Sequence, residues 1–160
     1  MSGLVLDVDA QLKAASAKHD GFALREAALL RVLRATTKML TDHGNTLLRQ
    51  HNLTMTEYYA LAMLDVAPEP VSVRDLIGFT GEKASNMTRV CDLLLGKGLI
   101  SRFPSLDDRR VLMMEITPRG NDLMAKLVPL ISEQLRELFA PLDETESLVV
   151  EKLLKRLLTQ

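Results

Sequence analysis

The stretch from Leu99 to Thr117 limits the fold of this chain more than any other. Two β-prone segments, Leu99 to Phe103 and Val111 to Thr117, flank a tip that carries Asp107, Asp108, Arg109 and Arg110. Just before them, Glu82 to Gly98 reads as a short amphipathic helix. Met87, Val90, Cys91 and Leu94 follow the i, i+3, i+4, i+7 spacing of a core-facing stripe. Ser85, Asn86, Thr88, Arg89 and Asp92 then lie largely off that stripe.

A helix with a polar outer face followed by a basic-tipped hairpin is the layout of a winged helix-turn-helix. Such a helix suits a major groove, where Asn pairs with adenine, Arg with guanine, and Ser or Thr with bases or phosphates. An arginine on a narrow hairpin suits a minor groove, whose negative potential grows as it narrows. Spacing alone fits a solvated helix and a charged turn equally well. The two features in succession favour DNA, with Lys83, Ser85, Asn86, Thr88, Arg89, Asp108, Arg109 and Arg110 as the contact set.

The rest of the chain reads mainly as helix, with no repeat. Residues 1–20 are expected to form a tail or short arm. From Phe22 to about His51 the pattern predicts one long helix, with Gly44 as a kink or break. Thr54 before Tyr58, Leu61 and Leu64, with Glu57 three residues on, is a capping-box start, and Pro68 and Pro70 end that helix. Ser72 and Asp75 repeat the signature for a short helix that ends between Gly78 and Gly81. The next helix starts at Lys83 or Ala84 and ends at Gly96 to Gly98. Pro118 and Arg119 open a long helix to about Phe139, with Pro129 as a candidate kink site. Asp143, Glu144 and Glu146 sit where acids favour the positive end of a last helix.

The 160 residues suffice for one domain with a true core. Aromatics are only 4% and Trp is absent, which favours helices over sheets. The net charge of −1 rules out a polycation. From Gly81 to Gly120, however, seven basic residues face five acidic ones, while from Asn121 onward five face seven. A weakly basic middle agrees with one DNA-facing surface. A single cysteine, Cys91, excludes an internal disulfide and a multi-Cys zinc site. Its place on the core face argues for a small buried hydrophobe over a redox sensor. His19, His43 and His51 lack ligand spacing. There is no nucleophile–base pair and no Gly-rich phosphate loop, so neither an enzyme nor a cofactor is expected. Neither a signal peptide nor a membrane span is expected, and the default compartment is the cytoplasm.

The element order, Asp108-Arg109-Arg110 at the wing and Ile116-Thr117-Pro118-Arg119-Gly120 after it resemble the MarR family of bacterial transcription regulators. The resemblance covers about Phe22 to Leu158, with Leu53-Thr54, Glu57-Tyr58 and Leu61 at the entry to the family's second helix. Asn86-Met87-Thr88-Arg89 with Gly98 looks more like multidrug-efflux repressors of the EmrR (MprA) type. Phe79 and Thr80 before the recognition helix, and the extra acid Asp107, depart from the usual pattern and bear on docking details.

The resemblance implies a mostly α fold with a small β-hairpin wing, and with N- and C-terminal dimerisation helices. Residues 53–120 would form the winged part, and residues 1–51 and 121–160 the dimerisation part of a single 1–160 domain. It implies a homodimer on a palindromic operator in double-stranded DNA, with Asp108 holding the Arg110 guanidinium and Arg109 on phosphate. It implies a ligand-responsive repressor of efflux, stress or aromatic-compound genes. A small phenolic or aromatic effector would sit near Arg34, Met55, Tyr58 and Tyr59, although core packing explains each of these residues as well. The stripe Leu148, Leu153, Leu154 and Leu157, with Val149, exceeds what one winged domain needs and is expected at the dimer interface. A redox-responsive or activating regulator of the same fold, or a helical interaction module without DNA binding, is the competing reading.

Overall fold

The computed structural model describes residues 3–159, with side chains from residue 10 onward. The chain divides by contact into two compact units, one up to His43 and one from Gly44 on. The boundary falls inside a continuous helix.

The first unit holds α1 (Gly3–Lys18) and most of α2 (Leu24–Arg49). The arm expected over residues 1–20 is thus a helix over its described part; residues 1 and 2 lie outside the described residues. Leu, Val and Asp in residues 4–9 give no clean periodicity, but Ala14, Ala15 and Ala17 are strong helix formers. Leu12 is buried, and Gln11 Oε1 accepts from Arg31 Nη2 at 3.2 Å. Gly21, at φ 77°, turns the chain between the two helices.

The second unit takes α2 from Gly44 onward, then α3 (Met55–Val66), β1 (Val71–Ser72), α4 (Val73–Thr80), α5 (Ala84–Gly96), β2 (Ile100–Pro104), β3 (Leu112–Ile116), α6 (Pro118–Phe139) and α7 (Glu144–Leu158). The strands form one antiparallel sheet in the order β1-β3-β2. Ile100 pairs with Ile116, and Pro104 with Leu112. The two-residue β1, too short for any periodicity to reveal, places Val71 opposite Met114.

The starts of α3, α4, α6 and α7 are each capped by a side chain at the expected place. Thr54 accepts from Glu57 N–H at 3.3 Å, while Glu57 Oε2 accepts from Thr54 N–H at 2.8 Å. Ser72 and Asp75 close the same box on α4, and Asp143 and Glu146 close it on α7. At α6, Thr117 Oγ1 accepts from Gly120 N–H at 3.1 Å and donates to Gly98 O at 2.8 Å. Pro118 fills the first helical position, where no N–H is needed. Gly120 is buried, and a Cβ there would overlap the Leu99 carbonyl and the Ile116 side chain. The Thr-Pro-Arg-Gly segment therefore lets the first turn of α6 lie directly on the start of β2.

Gly44 does not break the helix. The α2 helix runs through it, and the Met55 thioether occupies the space that a Cβ would need. The core of this unit gathers Leu48, Leu61, Leu76, Met87, Leu94, Met114, Met124 and Leu127.

Glu57 is the single buried charged residue among the described residues, at 2% exposure. Its Oε1 accepts from Lys97 Nζ at 2.5 Å, and the same ammonium donates to Asn52 O at 2.6 Å. Asn52 stands at φ 57°, a left-handed conformation that Asn tolerates. One carboxylate thus joins the start of α3, the turn after α2 and the C-cap of α5.

Lys97→Met leaves that carboxylate buried without its cation and is expected to destabilise the protein by about 3 kcal/mol. Adding Glu57→Gln, which removes the charge and keeps the cap, should recover part of the loss. Denaturant unfolding measures both; a loss under about 1 kcal/mol, typical of an exposed pair, would contradict the buried-pair role. Cys91 is also buried, and burial first, then Asp92, pushes its thiol above the ordinary pKa. Thiol-reagent labelling of the native protein is expected to run more than about tenfold slower than that of the unfolded chain. Equal rates would mean an accessible, reactive thiol.

Candidate nucleic-acid interface

The turn between α4 and α5 is set by Gly81, whose φ of 68° is left-handed and whose N–H donates to Ile77 O at 2.9 Å. Lys83 follows as the N-cap of α5 in extended conformation; an ammonium has no acceptor atom, so its side chain makes no cap bond. Met87, Val90, Cys91 and Leu94 are buried, as their spacing requires. That fixes the helix rotation and turns Lys83, Ser85, Thr88, Arg89 and Asp92 to the surface, with Asn86 half-buried.

These exposed groups are not equally available. Thr88 Oγ1 donates to Ala84 O at 3.0 Å. Asn86 Nδ2 donates to Glu82 Oε2 at 2.7 Å, and Asn86 Oδ1 faces Arg89 Nη2 at 3.5 Å. Glu82 Oε1 in turn accepts from Thr56 Oγ1 on α3 at 3.2 Å. The contact set expected from spacing omits Glu82. The available signal was its position just ahead of the helix start, four residues before Asn86.

The wing is anchored to the same helix. Arg102 on β2 pairs with Asp92 on α5 at 2.9 Å. At the tip, Ser105 N–H donates to Val111 O at 2.8 Å, and Val111 N–H to Asp108 O at 2.9 Å. Leu106, Asp107, Asp108, Arg109 and Arg110 are all exposed. The expected Asp108–Arg110 guanidinium pair is not formed. Asp108 Oδ1 accepts the backbone N–H of Arg110 at 2.9 Å instead. A side chain two residues back reaches the backbone more easily than a long guanidinium folds over it, which is the logic of an Asx turn. Asp108 thereby shapes the tip through the main chain and leaves the Arg110 head outside any ion pair among the described residues.

The expected effector residues fall in both units. Arg34 is exposed on the part of α2 in the first unit. Met55, Tyr58 and Tyr59 share the first turns of α3 in the second. Met55 packs on Gly44, and its N–H donates to Asn45 Oδ1 at 2.9 Å. The Tyr58 and Tyr59 rings stand 5.8 Å apart. Burial first, then Tyr59 and Asp65, pushes the half-buried Tyr58 phenol above its ordinary pKa, so it stays a donor at neutral pH. A cleft of about 470 Å³ lies elsewhere on the second unit, among Lys97, Leu99, Arg119, Leu123 and Lys126, and takes in none of these residues. Leu148, Leu153, Leu154 and Leu157 are all exposed on α7, which buries no described residue. Among the described residues no group of three or more His, Cys, Asp or Glu is placed to hold a metal. No described helix is long and apolar enough to cross a membrane.

Residues 53–112, which contain α3 to the start of β3, match the model of the MarR family. The chain is 27% identical over 155 residues to the transcriptional repressor MprA of Escherichia coli K12, covering 96% of this chain and 88% of that protein. It is 29% identical over 129 residues to the regulator MhqR of Bacillus subtilis, covering 78% and 86%. Among solved structures, a mutant MarR of E. coli complexed with operator DNA superposes with a TM-score of 0.76 at 24% identity, covering 81% of this chain and 93% of that one. BpsR of Bordetella bronchiseptica, whose DNA binding is regulated by 6-hydroxynicotinic acid, superposes at 0.73 and 20% identity, covering 79% and 90%. These superpositions carry the fold. With a helix-turn-helix, a braced wing and a family match over the same residues, the chain carries a MarR family domain.

Proposed function

We propose that this chain is a cytoplasmic DNA-binding transcription regulator that acts as a homodimer on a palindromic operator. It represses efflux, stress or aromatic-compound genes until a small phenolic or aromatic ligand releases it. The observation that carries this reading is the pairing of the exposed polar face of α5 with an arginine-tipped wing on one braced unit. MprA, similar over 96% of the chain, is a transcriptional repressor. MarR is known in complex with operator DNA, and BpsR answers to an aromatic acid.

In this reading α5 lies in the major groove. Asn86 and Arg89 read base edges, while Lys83, Ser85 and Thr88 meet bases or phosphates. Arg110 enters the flanking minor groove, Arg109 meets phosphate, and Asp108 holds the tip backbone. The helical parts, residues 1–51 and 121–160, dimerise, with Leu148, Leu153, Leu154 and Leu157 covered by a second copy. The two-fold axis would set the recognition helices about one DNA turn apart. Tyr58 and Tyr59 would hold the effector, with Tyr58 donating to its carboxylate or phenolate and Met55 lining the site. Release requires tighter effector binding to the DNA-incompetent state, by about 1–3 kcal/mol of coupling. With a net charge of −1, binding depends on a few placed cations more than on bulk attraction.

Arg110→Ala is expected to weaken binding to an operator selected from random DNA by about 1–3 kcal/mol in anisotropy titrations. Unchanged affinity would remove the wing from the mechanism. Arg89→Ala should flatten base preference at one position of each half-site. A loss equal on operator and random DNA would instead assign Arg89 to phosphate.

A further inference from the structure

A carboxylate stands in the turn just before the recognition helix, where its DNA-facing surface begins. Glu82 is half-buried, and both of its oxygens are in use: Oε1 accepts from Thr56 Oγ1 at 3.2 Å and Oε2 from Asn86 Nδ2 at 2.7 Å. Its own N–H lies 3.4 Å from Thr80 Oγ1, which is tied to Leu76 O at 2.8 Å. Glu82 is therefore held from α3 and α4 while it holds a side chain of α5.

The consequence falls on Asn86. A carboxamide can turn over and exchange its donor and acceptor ends. A carboxylate accepts only, so it admits the NH2 end of Asn86 and rejects the oxygen. That choice fixes the amide orientation and sends Oδ1 toward the Arg89 guanidinium. An Asn that reads adenine must present both ends in one orientation, accepting from N6 and donating to N7. A second N–H of Asn86 and a second lone pair on its Oδ1 remain for that work.

We propose that Glu82 is a positioning residue for base recognition: through its hydrogen bond to Asn86 it fixes which hydrogen-bonding face Asn86 and Arg89 present to DNA. The proposal rests on the DNA-binding reading above and deepens it. Thr56 makes the device depend on α3, because the hydroxyl on the first turn of α3 sets the carboxylate that sets the amide. Any ligand that moves this turn would reach the base-reading groups through one side chain.

The test has a free-protein arm and a DNA arm. In the free protein, the Asn86 side-chain amide is followed by NMR in the unmodified chain, Glu82→Ala, Glu82→Gln and Thr56→Val. The held N–H should resonate downfield and exchange slowly in the unmodified chain and in Glu82→Gln, whose amide oxygen still accepts. That signature should be lost in Glu82→Ala and weakened in Thr56→Val. An Asn86 amide indifferent to Glu82→Ala overturns the proposal whether or not DNA binds.

In the DNA arm, affinities are measured against every single-base variant of a half-site selected from random DNA. Glu82→Ala should cut discrimination at the position read by Asn86 and Arg89 by about fivefold or more, the size of one base-edge contact. The slope of affinity against salt should not change, because no phosphate contact is lost. Glu82→Gln should retain the preference. A uniform affinity change at all positions, or a Gln variant as altered as the Ala variant, would mean that Glu82 acts through its charge alone and would overturn the proposal. If the unmodified chain selects no sequence, the regulator reading fails, and the free-protein arm still decides whether Glu82 orients Asn86.

Discussion

The second unit depends on one carboxylate taken out of water. Burying Glu57 costs free energy unless its oxygens are satisfied, and two separate parts of the chain satisfy them while a third helps to hold the cation. Thr54 supplies a backbone N–H, Lys97 an ammonium, and Asn52 shares that ammonium from a left-handed turn. The end of α2, the start of α3 and the C-cap of α5 are thereby fixed to one another. Apolar packing alone tolerates sliding between helices. A buried charge with directional partners defines one arrangement much more sharply.

That arrangement sets up the outer surface. Cys91, Val90 and Met87 hold α5 by its inner face, and Lys97 holds its last turn, so its rotation and axis are both settled before any partner arrives. The wing is then carried along: Arg102 meets Asp92 on α5, and Thr117 and Gly120 press α6 onto the root of the hairpin. The polar groups of α5 and the arginines of the tip form a preset pair of surfaces rather than two mobile ones. Such rigidity lowers the ordering cost of binding, which a chain without strong bulk charge needs.

Much of this is legible in the residues. The capping boxes at Thr54 and Ser72, the core stripe of α5, the hairpin and the proline-led α6 follow from local signals that need no distant partner. What stays hidden is non-local. Lys97 lies 40 positions from Glu57, and no spacing rule links them. Thr56 and Glu82 are 26 apart. Gly44 reads locally as a kink or a break, whereas the helix continues through it and the reason for a glycine, the Met55 thioether, arrives from the next helix. Asp108 shows the opposite failure: a pair of opposite charges two residues apart invites an ion pair, and the backbone N–H takes the carboxylate first. The apolar face of α7 is legible as a surface in need of a partner, and it is exposed in the single chain.

The central claim, that a prearranged helix and wing read DNA from a two-fold dimer, is tested most directly by hydroxyl-radical footprinting on an operator selected from random DNA. The account predicts a symmetric pattern. Protection should fall on both strands beside two major grooves about one helical turn apart, with flanking minor-groove protection that disappears in a variant lacking the Arg110 side chain. A single asymmetric patch, or major-groove protection with the flanks untouched in the unmodified protein, would contradict it.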